Sequence, residues 1–333
     1  MRIATYNVEW FTELFDDSDQ LIADGGWSRR HNVTRAQQTE ALGTVFQAMD
    51  ADAVMVIEAP DHSPHRSTVR ALEGFAARFG LRIRDAVLGF SNDTQQEIAL
   101  LYDRDTLSVR HAPSNLGAVR FDQAFELDVD VDARPDPIRW SKPPLELEVT
   151  TRAGRMLRMI GVHAKSKAPH GARSDAQAKR ISIENRRKQL AQCIWLRRRV
   201  EAHLQAGDDL IVLGDFNDGP GLDEYEKLFG RSGVEIVLGE GNGPKLYDPH
   251  ASQALQRRLG AVPTTARFYN RETKRYLSTL LDYIMISDGL RAEEGTWRIF
   301  HPFDDPACYT DMQLREALLT ASDHFPVVYE AAL

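Results

Sequence analysis

Eight short apolar runs, spread along the whole chain, limit its fold more than any other feature. They are Arg2 to Val8, Ala53 to Ile57, Ile98 to Tyr102, Leu145 to Val149, Met156 to His163, Leu210 to Gly214, Leu281 to Ile286 and Phe325 to Tyr329. Their length, their aliphatic and β-branched content and the polar or turn residues that bound them predict buried strands. None approaches the roughly 18 consecutive apolar residues of a spanning helix. Helical periodicity is confined to Leu42, Val45, Phe46 and Met49, to Val69, Leu72 and Phe79, and to Ala176 to Leu204 with Ile183, Leu190 and Ile194 on one face. Helices are therefore expected mostly in the first two-thirds. Thr12 to Asn32, Ser114 to Pro144 and Gly239 to Ser278 are rich in Gly, Pro, Asp or Asn and read as long loops. With no repeat and no linker, strands distributed throughout predict a single domain over residues 1–333. Its fold class is α/β, two packed sheets with helices outside.

Composition agrees with a globular protein: 333 residues, 42% hydrophobic and 27% charged. Lys and Arg number 41 against 49 Asp and Glu, a net charge of −8, which disfavours a protein that coats nucleic acid non-specifically and leaves a local basic groove open. Cys193 and Cys308 have no CxxC spacing, so neither a disulfide framework nor a zinc knuckle is indicated. Met1 to Asn7 enters a strand pattern without the apolar segment of a signal peptide, and a cytoplasmic location is the expectation.

Polar residues that could carry chemistry accumulate where apolar runs stop. In Gly214-Asp215-Phe216-Asn217, strand alternation would set Asp215 and Asn217 on one face, a carboxylate and an amide able to hold and orient a water. An Asx-turn closing the strand is the alternative for that pair. Asn7 and Glu9 leave the first run, Glu58 the second, His163 the fifth, while Asp282 and the pair Asp323-His324 adjoin the last two. Several converging acids with one or two amides imply a hard divalent cation, because buried carboxylates need a partner. Oxygen ligands point to Mg or Mn; without thiolates or an HExxH spacing, zinc is disfavoured.

Taken in order, Tyr6-Asn7-Val8-Glu9, Val56-Ile57-Glu58, Gly161-Val162-His163, Gly214-Asp215-Phe216-Asn217, Leu281-Asp282-Tyr283 and Ser322-Asp323-His324 resemble the motifs of the endonuclease/exonuclease/phosphatase superfamily. Its members include deoxyribonucleases, abasic-site endonucleases, neutral sphingomyelinases and inositol-polyphosphate phosphatases. The resemblance covers nearly the full chain and implies a deoxyribonuclease I-like, four-layered α/β sandwich with a catalytic Mg or Mn ion. It further implies that Glu58 is the principal metal ligand, with Asn7, Glu9 and Asp323 near the ion. By the same resemblance Asp215 activates the attacking water, Asn217 holds the phosphate or that water, His163 and His324 donate to phosphoryl oxygens, and Asp282 orients His324. Glu9 stands where many members carry Asp or another polar residue. His163 departs from the abasic-site branch, and Gly161 to Lys167 resembles a stretch of uncharacterised bacterial members.

The expectation is a metal-dependent phosphodiester hydrolase, foremost a nuclease acting on nucleic acid; a small-molecule or lipid phosphodiesterase or phosphatase is the alternative, and a silent binding module is disfavoured by the intact acids. Candidate substrate contacts are Lys165 and Lys167 after His163, Trp27 and Arg29 (with Arg30 and His31) in the first long loop, and Arg267. The aromatic and cationic segments Trp140 to Pro144 and Thr264 to Tyr269 suit base stacking or a phosphate grip. His62 and His65 read as loop histidines. The basic series Lys179, Arg180, Arg186, Arg187, Lys188, Arg197, Arg198 and Arg199 reads as a solvated outer helix face.

Overall fold

All eight apolar runs are strands, and seven of them have strand neighbours on both sides. The structure, a computed structural model, describes residues 1–127, 136–169, 171–220, 230–256, 262–270 and 274–333. A six-stranded mixed sheet has the order Thr296–Ile299, Val327–Glu330, Arg2–Asn7, Ala53–Ala59, Glu97–Tyr102, Asp85–Leu88. A five-stranded sheet has the order Asp282–Ile286, Leu210–Asp215, Met156–His163, Leu145–Thr151, Leu107–His111. In each, the central pair is parallel: Arg2–Asn7 with Ala53–Ala59, and Leu210–Asp215 with Met156–His163. Strands covered on both faces keep near-continuous apolar sequences, which is why these runs stand out.

Alternation sorts each strand's side chains between two cores. Ile3, Met55, Ile57, Met159, Ile211, Leu213 and Ile284 point between the sheets and form one cluster. Ala4, Tyr6, Val54 and Val56 point outward against Leu42 and Phe46 of helix Arg35–Met49, Leu72 and Phe75 of helix Thr68–Arg78, and Leu318 of helix Met312–Ala321. On the far side Ile160, Val162 and Val212 meet Trp195, Leu196 and Val200 of helix Asp175–Ala206. The layers are thus helix, sheet, sheet, helix. Among the described residues no helix is long and apolar enough to cross a membrane.

Several sequence expectations are corrected. Helices also populate the last third, at Gly233–Leu238, Pro249–Leu255, Pro306–Thr310 and Met312–Ala321. Most of these span barely two turns, too few for a 3.6-residue period to show. The stretch Gly239 to Ser278 contains helix Pro249–Leu255 and a hairpin of Ala266–Asn270 with Arg275–Thr279, while Ser114 to Pro144 carries the small hairpin Phe125–Leu127 with Asp136–Ile138. Residues 128–135, 257–261 and 271–273 of those stretches lie outside the described residues. On the long helix the buried face runs through Arg186, Gln189, Leu190, Cys193, Leu196 and Val200, with Ile183 and Ile194 only half-buried. Arg186 and Arg199, expected in solvent, are fully buried. Burial of a guanidinium demands partners. Arg199 pairs with Glu146 and donates to the carbonyls of Leu116, Ala118 and Val119.

Candidate active site

The site lies where the space between the two sheets opens, and strand register builds most of it. Asn7 shares the inward face of Arg2–Asn7 with Ile3; His163, Asp215 and Asp282 share the inward faces of their strands with Met159, Leu213 and Ile284. Asp215 pairs in register with His163 on one side and Asp282 on the other, so three functional side chains form one row across the sheet. Gly214 makes this approach possible, because a β-carbon there would collide with the Val162 carbonyl. Glu58 arrives differently. Alternation from Ile57 would turn it outward, but the register with Glu97–Tyr102 shifts between Ile57 and Ala59, and Glu58 itself takes a left-handed φ of 60°. This bulge aims its carboxylate into the site.

Asp215 is held on both oxygens. Oδ2 accepts from Asn7 Nδ2 and from Asn217 Nδ2, each at 3.0 Å, and Oδ1 accepts from the Asn217 backbone N–H at 2.7 Å. The last contact is an Asx-turn, and Asn217 has φ 49° beyond the strand end. Asp215 and Asn217 therefore converge through a turn rather than through strand alternation. Asn7 reaches Asp215 from the other sheet.

Beside this group, His324 Nδ1 lies 2.8 Å from Asp282 Oδ2, which also accepts from Thr265 Oγ1 at 2.8 Å. Thr265 Oγ1 in turn accepts from the backbone N–H groups of Leu281 and Asp282, both at 3.0 Å. Burial alone would lower the His324 pKa, but Asp282, Asp215 and Asp323 outweigh it and hold the imidazole well above its ordinary value, protonated. His163 behaves oppositely: burial first, then Lys142, His324 and Lys165, depress its pKa well below the usual range. A neutral ring makes no salt bridge, so its 3.6 Å approach to Asp215 and 3.9 Å approach to Glu58 are contacts of an uncharged imidazole. Lys142 Nζ lies 3.2 Å from its Nδ1. Two imidazoles in one cleft are thus pushed in opposite directions, His163 down chiefly by burial and His324 up by three carboxylates.

The acids are short of positive charge. Burial raises the pKa of Glu58, and raises Glu9 and Asp215 to about 7. Asn7 Oδ1 is buried and accepts no hydrogen bond among the described residues. Hard oxygens with raised pKa values and an orphaned amide oxygen are what a divalent cation would satisfy, so the residues fit such an ion. Asn7, Glu58 and Asp323 would hold it. Glu9 fits less well, since Trp10 Nε1 donates to one of its oxygens at 3.1 Å and Arg30 pairs with the other. Asp215, Asp282 and His324 also bring ligand atoms within 4.8 Å of one another, but the last two satisfy each other, which suits an oriented imidazole better than an ion nest.

Around this floor the other expected residues divide. Lys165 is close enough for its charge to act on His163. Lys167 instead donates to Asp218 at 2.7 Å, a buried structural contact rather than a free phosphate grip. Arg29 stacks on Trp10 at 5.2 Å and borders a small pocket shared with Glu58 and Gln96; that pocket adjoins an open groove of about 900 Å³ lined by Glu13, Asp16, Asp61, His65 and Arg66. Trp27 is 67% exposed on the same loop. Arg267 lies over Tyr276 at 4.3 Å and Phe303 at 4.8 Å, and its backbone N–H donates to the Asp323 carbonyl at 2.7 Å. Three participants lie outside the residues that the sequence marks: Gln96, whose Nε2 donates to Glu58 at 2.6 Å, Lys142 and Thr265, while Arg30, expected to contact substrate, instead pairs with Glu9. Lys142 and Thr265 belong to segments that the sequence marks for aromatic and cationic content; Gln96 carries no signal of its own, since it acts only through its partner.

The sequence profile described as the Endonuclease/Exonuclease/phosphatase family matches residues 4–324, and the chain belongs to that family. No curated protein matches it in sequence. Among solved structures it is similar to the 3'-5' exonuclease NExo from Neisseria meningitidis, at 16% identity and TM-score 0.53 over 100% of both chains. Truncated Caenorhabditis elegans TDP2 is similar at 14% identity and TM-score 0.52, over 98% of this chain and 96% of that one. The human Nocturnin catalytic domain with bound sulfate anion follows at 14% identity and TM-score 0.50, over 100% of this chain and 94% of that one. At such identities the likeness is one of fold.

Proposed function

We propose that the protein is a divalent-metal-dependent hydrolase of phosphodiester bonds, acting on nucleic acid with Mg or Mn. The observation that carries this reading is a carboxylate, Asp215, oriented by two side-chain amides beside an imidazole, His324, oriented by Asp282. Asp215 takes the proton from an attacking water that Asn217 and Asn7 keep in line with the phosphorus. His324 donates to a non-bridging oxygen as charge grows there, and neutral His163 offers a second donor. Lys142 and Lys165 add positive charge at the same edge. A bound ion supplies Lewis-acid stabilisation of the phosphoryl oxygens.

Nucleic acid is favoured as substrate by Arg267 and its two rings on the rim next to Asp323, a surface suited to an unstacked base. NExo, of the same fold, is a 3'-5' exonuclease. The acidic groove residues Glu13, Asp16 and Asp61 and the net charge of −8 favour instead a small phosphoester, the second reading. Hydrolysis of plasmid DNA, single-stranded oligonucleotides, an aryl phosphodiester and its monoester, with EDTA, Mg or Mn, tests both. Metal-dependent DNA cleavage whose affinity falls steeply with salt supports the nuclease. Turnover of the small diester alone moves the substrate to the second reading, and no turnover of any of them removes the hydrolase.

A further inference from the structure

The long helix turns three side-chain amides toward the back of the site: Asn185, Gln189 and Gln192, at i, i+4 and i+7 on one face. Asn185 Nδ2 donates to the Ala168 carbonyl at 3.0 Å, and Gln192 Oε1 accepts from the Lys165 backbone N–H at 2.9 Å. Gln189, fully buried, reaches furthest. Its Nε2 lies 3.0 Å from the Lys165 carbonyl, 3.1 Å from that of Phe216 and 2.9 Å from that of Asn217. Its Oε1 accepts from Arg186 Nη1 at 2.7 Å, and because a guanidinium only donates, this fixes which end of the amide faces the carbonyls. Arg186 pairs with Asp218 at 2.6 Å, which also accepts from the Gly233 N–H.

Those three carbonyls belong to two segments that leave adjacent strands just where the ladder ends. The last register pair is Asp215 with His163, followed by Ala164 N–H donating to the Asp215 carbonyl at 2.9 Å. Beyond it, buried carbonyls need donors from outside the sheet. We propose that Gln189 is a positioning residue, a buried amide tie that locks the segment after His163 to the segment after Asp215. It thereby sets where Asn217 and Lys165 stand beyond the ladder that already fixes Asp215 against His163. Gln189 touches no substrate. The catalytic consequence rests on the hydrolase reading above; the tie itself does not.

The test uses the full chain with Gln189→Met, of similar length and without donors, and Gln189→Glu, which keeps an acceptor for Arg186 and removes both donors. Turnover of the best substrate and amide hydrogen exchange are both measured. The expected result is a fall in kcat of about 10- to 100-fold, since misplacement by about 1 Å costs on that order. KM and the metal concentration for half-activity should stay unchanged, because Glu58 stands on the other sheet. Exchange should rise at Ala164–Lys167 and Phe216–Asp218 and not at Val56–Ala59. An unchanged kcat per folded molecule, unchanged exchange in the two segments, or an equal rise at Val56–Ala59 overturns the proposal, as does global unfolding of both variants. If the native chain hydrolyses no phosphoester the hydrolase reading fails separately, and the exchange pattern alone decides the tie.

Discussion

Asp215 and Glu58 are both acids at the end of a central strand, one in each sheet, yet they are held in different ways. Asp215 lies in register with His163 and Asp282, and both its oxygens accept from amides fixed by the backbone. Glu58 is delivered by a bulge and a left-handed residue, and Gln96 donates to one of its oxygens. In the proposed reaction the Asp215 half orients the proton transfer. The Glu58 half keeps hard oxygens, its own and Asn7 Oδ1, that are short of positive charge. The contrast teaches that one site can combine a satisfied network with an unsatisfied one, and that each half should fail in its own way.

The largest expected effect is from Asp215→Ala, a loss of kcat of about 10²- to 10⁴-fold, the range for removing a general base. Steady-state kinetics on protein of native circular dichroism checks it, and near-normal turnover would break the comparison on the Asp215 side. His324→Ala should cost about 10²- to 10³-fold, as for a lost oxyanion donor. Asp282→Asn should cost less, and the double variant should be no worse than His324→Ala, because Asp282 acts through the imidazole. Additive losses would show that Asp282 works elsewhere.

On the other half, Glu58→Gln should raise the metal concentration for half-activity rather than abolish turnover at saturating metal. Gln96→Leu should shift it in the same direction by about tenfold, the lower range for an outer partner of a ligand. An unchanged metal titration in both variants would dissolve the distinction drawn here. Mg or Mn should also raise the melting temperature of the native chain and not that of Glu58→Gln, since a ligand stabilises only the state that binds it. The smallest effect is expected at the rim: Arg267→Ala should raise KM about two- to fivefold for a single-stranded oligonucleotide, with the aryl diester unaffected. Equal changes for both substrates would place Arg267 in the structure of the hairpin instead.

Much of the fold was legible because the strands with neighbours on both sides are buried on both faces. Within the two large sheets, the three strands that the sequence does not show, Asp85–Leu88, Leu107–His111 and Thr296–Ile299, are all at edges, where half-exposure mixes polar residues into the pattern. The edge strand that was read, Asp282–Ile286, is fully buried and bridged by Tyr247. Among charged residues the failure was systematic. Arg186 and Arg199 look like solvated cations, and Lys167 like a phosphate contact, until Asp218 and Glu146, distant in the chain, are seen beside them. A one-dimensional pattern carries no sign of such a partner.

The sequence by itself determined which polar residues end the apolar runs and share their faces. Period-2 alternation places Asn7, His163, Asp215 and Asp282 on the inward faces of their strands, and the order of six short motifs marks the family. Only the tertiary structure decided their states and their supports. The bulge that turns Glu58 inward, the opposite pKa shifts of His324 and His163, the Arg30 that occupies Glu9 and the Gln189 tie all depend on groups brought together from far apart in the chain. Side-chain direction along a strand is a local property of the backbone. Charge state and orientation in a buried site are set by whichever neighbours the fold supplies.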